Sequence, residues 1–148
     1  MSNCFVACDC SEVSQADFDR YTDKVENVLN DERGRSLFMN YMYTCKMRAG
    51  RRVLDFWERV DRLLTHKSSP GGGSPRNYNR EVKKLLAEAE RIDEFDLATM
   101  ERLDTLAQEP GSSKDQIDEV LKILKVESAH ILRREYDAFR KHFVPRRN

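Results

Sequence analysis

Apolar residues recur along this chain at spacings of three and four, with charged residues between them. Ser14 followed by Asp17 forms a capping-box pattern. After it Phe18, Tyr21, Val25, Val28 and Leu29 fall on one helical face. Residues 30–34, Asn-Asp-Glu-Arg-Gly, read as a stop and a restart. A short helix follows with Leu37, Phe38, Tyr41 and Met42 on one side, and Ala49-Gly50 is expected to break it. From Arg51 to about His66 a wide stripe of Val53, Phe56, Trp57, Val60, Leu63 and Leu64 predicts a helix that buries a whole face. Residues 68–76 are rich in Ser, Pro and Gly and read as a flexible loop. The three glycines lack the Lys-Ser/Thr of a phosphate-binding loop.

Beyond that loop, Val82, Leu85, Leu86, Ala89 and Ile92 mark another amphipathic helix. Phe95, Leu97, Met100, Leu103 and Leu106 mark the next, with Asp96 at its N-cap. Pro110-Gly111 ends it. Ser113 with Gln116 repeats the capping box ahead of Ile117, Val120, Leu121 and Leu124. The closing helix carries Leu132, Tyr136, Phe139 and Phe143 at helical spacing, and Pro145 ends it. No stretch alternates with period two. The predicted fold is all-α, a bundle of about eight to nine helices in one domain over residues 13–145, with a Cys-rich tail at 1–12 and a basic tail at 146–148.

Composition narrows the class. The 148 residues hold 26 Lys+Arg against 26 Asp+Glu, for a formal net charge of zero, with 35% of residues charged. A chain of this length buries about 69% of its unfolded surface, enough for one self-sufficient core. Zero net charge, balanced on both sides of Ser74, argues against a dedicated nucleic-acid binder. No apolar run approaches the ~20 residues of a membrane span. The acidic N-terminal flank is not that of a signal peptide. The expectation is a cytoplasmic protein.

Candidate chemistry is sparse. Cys4, Cys8 and Cys10 crowd the first ten residues, while Cys45 stands alone. Three readings are open: reduced thiols, a zinc site completed by Cys45, and S-acylation of the N-terminal cluster, which would anchor the chain to a membrane. His66, His130 and His142 show no ligand or nucleophile spacing. Glu127 and His130 stand three apart, but a di-iron bundle needs two such motifs. No metal, no cofactor and no enzymatic activity are expected. Two basic features suit binding: Lys46, Arg48, Arg51 and Arg52 at one helix start, and Arg133, Arg134, Arg140 and Lys141 on the last helix, with Arg146 and Arg147 beyond. The latter suit an anionic membrane surface.

Leu29, Gly34-Arg35-x-x-Phe38-x-x-Tyr41-Met42, then Leu54-Asp55-Phe56-Trp57, resembles the opening of a regulator of G-protein signalling (RGS) domain. Ile117…Leu124 and Tyr136-x-x-Phe139 resemble its closing helices. The resemblance covers residues 14–145 and implies a helical fold that docks on a Gα subunit. Phe38, Phe56, Trp57, Tyr136 and Phe139 then belong to its core. That family accelerates GTP hydrolysis by bracing the switch regions of Gα. It places Glu-Asn before the Phe-Trp pair, where this chain has Arg52-Val53. It brings an Asn from the loop between its fifth and sixth helices, where residues 92–96 here are short and lack one. It sets Asp-Ser, then Arg, around its last motif, where this chain has Arg134, Glu135 and Ala138. The resemblance therefore implies a protein-interaction module, a scaffold or adaptor linked to G-protein signalling, lacking the usual GTPase-accelerating contacts. Its partner is a Gα subunit or another signalling protein. A divergent GTPase activator and a helical adaptor unrelated to G proteins are the alternatives.

Overall fold

A computed structural model describes residues 14–66, 75–109 and 111–143. Among them eight helices and no strand occur: α1 (Gln15–Asp23), α2 (Val25–Leu29), α3 (Glu32–Thr44), α4 (Arg48–His66), α5 (Pro75–Ala89), α6 (Leu97–Gln108), α7 (Lys114–Ile131) and α8 (Arg133–Phe143). The protein is all-α, as its periodicity predicts. Cys4, Cys8, Cys10, Arg146, Arg147 and residues 68–74 lie outside the described residues. Pro75 and Arg76, expected in the loop, open α5 instead. Proline suits a first helical position because its missing N–H has no helical partner there.

The caps follow the local code. Ser14 Oγ accepts from the Asp17 N–H, Asp96 Oδ2 from the Thr99 N–H, and Ser113 Oγ from the Gln116 N–H. Each satisfies a donor that the helix itself leaves unpaired. Two boundaries differ from expectation. The run from Phe18 to Leu29 is two helices, because Lys24 is extended (φ −142°, ψ 145°) and Asn27 Nδ2 donates to the Arg20 carbonyl across the break. The break before α4 falls at Lys46, not at Ala49-Gly50. Lys46 takes a left-handed backbone (φ 58°), its N–H donates to Tyr43 O, and the Met47 N–H donates to Met42 O at 2.8 Å. This is a Schellman closure with lysine where glycine is usual. Gly50 is helical. A Cβ there would lie 2.6 Å from Met42 Sδ and 2.8 Å from Glu135 Cγ, so its small size serves close packing.

The chain divides into two compact units: residues up to Arg51 together with those from Ala129 onward, and Arg52–Ser128. In the first, α1 packs on α2 and α8, and α3 packs on α2 and α8. Its core joins Tyr21, Val28, Leu29, Phe38, Tyr41 and Met42 to Leu132, Tyr136 and Phe139, all nearly inaccessible. Gly34 lets α3 approach α2 and α1, since a Cβ there would lie 3.0 Å from both Val28 O and Tyr21 Cε1. In the second unit, Leu54, Phe56, Trp57, Val60, Val82, Leu103, Val120, Leu121 and Leu124 are buried, and Phe56 meets Phe95 at 5.1 Å. Lys125 Nζ sits 4.7 Å from the Trp57 ring centroid and 2.8 Å from Asp61 Oδ1.

Candidate interaction surface

Phe38 and Tyr41 near the start of the RGS-like pattern meet Tyr136 and Phe139 near its end in the first unit. Phe38 on α3 lies 5.1 Å from Phe139 and 6.2 Å, edge to face, from Tyr136, both on α8. Tyr41 adds an edge contact to Phe139 at 5.6 Å. The Tyr136 hydroxyl donates to the Tyr21 carbonyl at 2.8 Å, and burial pushes that phenol up to about 12. The hydrogen bond satisfies a polar atom that the aromatic cluster would otherwise strand.

A polar clasp ties α1 to the start of α3. Asp31, the N-cap of α3, accepts from the Arg33 N–H at 3.0 Å, from the Tyr21 hydroxyl at 2.6 Å and from Arg20 Nη2 at 2.5 Å. Partial burial alone would raise the Asp31 carboxyl. The Tyr21 hydroxyl, the Arg33 N–H and the Arg20 charge outweigh it and hold the group below its ordinary value. The Tyr21 phenol is shifted upward, first by burial and then by Asp31.

The basic turn sits beside this core. Lys46 and Arg48 are exposed, and Arg51 is half-buried with its guanidinium 4.8 Å from the Tyr43 ring centroid. Tyr43 itself is 68% exposed, a cation–π partner that the apolar stripe of α3 gives no reason to single out. Its cation, Arg51, lies eight residues on and across the turn at Lys46, so no local spacing signals the pair. Half-buried Cys45 caps the C-terminus of α3. On α8, Arg133, Arg134, Arg140 and Lys141 are all exposed, while Glu135 is half-buried.

Two of the three segments that the RGS resemblance would set against Gα, Arg52-Val53 and residues 92–96, fall in the second unit, and the third, at Arg134, Glu135 and Ala138, falls in the first. Arg52 is exposed, but Val53 is 2% exposed and belongs to the core stripe with Phe56, Trp57 and Val60. The connection from α5 to α6 is Glu90–Asp96, held by Asp96 as N-cap and by the Asp96 N–H donating to Glu127 Oε1 at 3.1 Å. No family model, curated protein or solved structure matches the chain.

Buried polar groups in this unit have structural work. The Tyr78 hydroxyl donates to Asp118 Oδ1, and the Lys114 ammonium lies 4.7 Å from the Tyr78 ring centroid. Asp118 is 2% exposed. Burial and the neighbouring carboxylate push the Tyr78 phenol far upward, so it stays a donor at any ordinary pH. Ser128, also buried, donates to Leu124 O at 2.8 Å.

Proposed function

We propose that this chain is an RGS-homology protein-interaction module, without enzymatic chemistry of its own and without the contacts that accelerate GTP hydrolysis. Support for the fold half of the reading comes from the Phe38–Tyr136–Phe139 cluster, because it joins sequence matches separated by about a hundred residues. The functional half is carried by one observation, the burial of Val53. A position that the family uses to offer an amide to Gα here holds an aliphatic side chain turned into the core. A Gα surface facing this module would leave its own donors unpaired there, at a cost of about 1–3 kcal/mol for each buried group. Exposed Arg52 adds a charge of the wrong sign.

The test is single-turnover GTP hydrolysis by a panel of purified Gα subunits, with this protein in excess. Unchanged rates are expected, whereas a tenfold acceleration, about 1.4 kcal/mol of barrier, would make it a divergent GTPase activator. The double variant Arg52→Glu/Val53→Asn should remain inactive, since the two other contact sets are also missing. A large gain would show that they are not.

A cytoplasmic module held at a membrane is the second part of the proposal. No described helix is long and apolar enough to cross a membrane. The exposed Arg140 and Lys141 on α8 would add electrostatic attraction to acyl chains on Cys4, Cys8 or Cys10. Hydroxylamine-sensitive labelling by a palmitate analogue, lost on changing the three cysteines to serine, is the expected result. An unlabelled protein would overturn it.

A further inference from the structure

The junction of α5 and α6 forms a groove of about 280 Å³ within the second unit. Its apolar surface comes from Ile92, Phe95 and Met100, each under 10% exposed, and from Leu97, which is 71% exposed. Leu97 is the first residue of α6, immediately after the Asp96 cap, and stands out at the groove without cover among the described residues. Four carboxylates line the same groove: Glu90, Asp93, Glu101 and Asp104. Among the described residues none of the four is ion-paired, and Asp104 only accepts from Gln108 Nε2. Of the two cations adjacent in sequence, Arg91 is turned onto Glu88 at 3.9 Å, and Arg102, beside Glu101, is exposed. From Glu88 to Glu109 the chain has eight Asp and Glu against Arg91 and Arg102 alone, in a protein whose total charge is zero.

We propose that this groove docks a short basic protein segment, one that seats an apolar side chain against Leu97, Phe95 and Met100 while its lysines or arginines meet the four carboxylates. Charge complementarity selects the occupant. An anionic lipid surface or a nucleic acid would be repelled by the carboxylates. A single metal ion needs carboxylates that converge, and no three His, Cys, Asp or Glu side chains do so among the described residues. The groove is open to solvent along its length, so it would enclose a small organic ligand poorly but accommodates the anchoring side chain of a peptide. Spaced carboxylates around an apolar floor suit a chain whose cations flank an apolar anchor. Long-range attraction then speeds encounter, and the anchor sets the residence time. The inference goes beyond the RGS reading and does not depend on it; the outcome of the GTPase assay leaves it untouched.

Fluorescence anisotropy with a labelled probe peptide tests it, the probe carrying lysines around two leucines and one phenylalanine. Two control probes replace either the lysines by glutamate or the apolar residues by serine. The wild-type protein should bind the parent probe at least tenfold more tightly than either control. Asp93→Lys/Glu101→Lys, at two exposed positions, should weaken binding tenfold or more, and Leu97→Ser at least threefold. Glu32→Lys, an exposed reversal in the other unit, should leave it within twofold. Far-UV circular dichroism checks that each variant keeps its helices. Equal affinity for the serine probe would reduce the effect to diffuse charge and overturn the proposal. So would binding that the groove variants leave within twofold of wild type.

Discussion

Phe139 is the side chain on which the first unit's core turns, and its removal should be costly. It is fully buried, with ring partners Phe38 at 5.1 Å, Tyr41 at 5.6 Å and Tyr136 at 6.4 Å. Burying such a ring contributes about 1.5–3 kcal/mol, and truncation also leaves a cavity, so Phe139→Ala should cost about 3–5 kcal/mol. At roughly 3 °C per kcal/mol for a chain of this size, Tm should fall by about 9–15 °C. Far-UV circular dichroism follows the helices, and Trp57 fluorescence follows the Arg52–Ser128 unit separately. Truncation alone does not show which neighbour matters. The cycle Phe38→Leu, Phe139→Leu and the double variant keeps apolar volume and isolates the ring pair. Its coupling energy should be about 0.5–1.5 kcal/mol. A loss below about 1 kcal/mol for Phe139→Ala, or a coupling energy of zero, would refute the claim that α3 and α8 are joined through these rings.

Three other perturbations test separate parts of the structure. Tyr78→Phe removes the donor to buried Asp118 and should destabilise by about 1.5–3 kcal/mol in urea denaturation; an unchanged midpoint would deny that hydrogen bond any net role. Asp31, held below its ordinary value, contributes stability above its unfolded pKa, and that contribution is lost as pH falls through the folded one. Asp31→Asn should therefore be less stable than wild type at neutral pH, with a gap that narrows as pH falls below the ordinary carboxylate range; a pH-independent gap would contradict the clasp. Gly50→Ala would gain about 1 kcal/mol of helix propensity if the glycine were a mere helix breaker. Contact with Met42 and Glu135 should instead make it neutral to about 2 kcal/mol destabilising, and a stabilised variant would refute the close packing.

Local chemistry was legible in the sequence, and chain-distant chemistry was not. The caps at Ser14, Asp96 and Ser113 need only a side chain and an N–H three residues on, so spacing sufficed. The break at Lys24 depends on an Asn27 side chain reaching back seven residues, which no periodicity reports. Lysine carries no preference for the left-handed backbone it adopts at Lys46, while Gly50 draws attention to the wrong place. Leu97 fits the apolar stripe by number, yet its position just after a cap leaves it outside the core. The acidic groove was hidden by averaging, because each half of the chain sums to zero although carboxylates gather between Glu88 and Glu109.

Val53 shows how the two kinds of information meet. It belongs to the stripe of Phe56, Trp57 and Val60, so helical period alone turns it inward, and the structure buries it. The RGS resemblance asks the same position to present an amide to a partner. An asparagine placed there would either stay buried with an unsatisfied amide or pull α4 out of its packing, and each route costs stability. The core demand is set by three large neighbours on the same helix face, so it prevails over a contact that needs a single side chain turned outward. Under the proposed RGS reading, the amide contact at this position is lost and a partner would have to be met through other side chains. The apolar, carboxylate-lined groove between α5 and α6 has the chemistry to meet one.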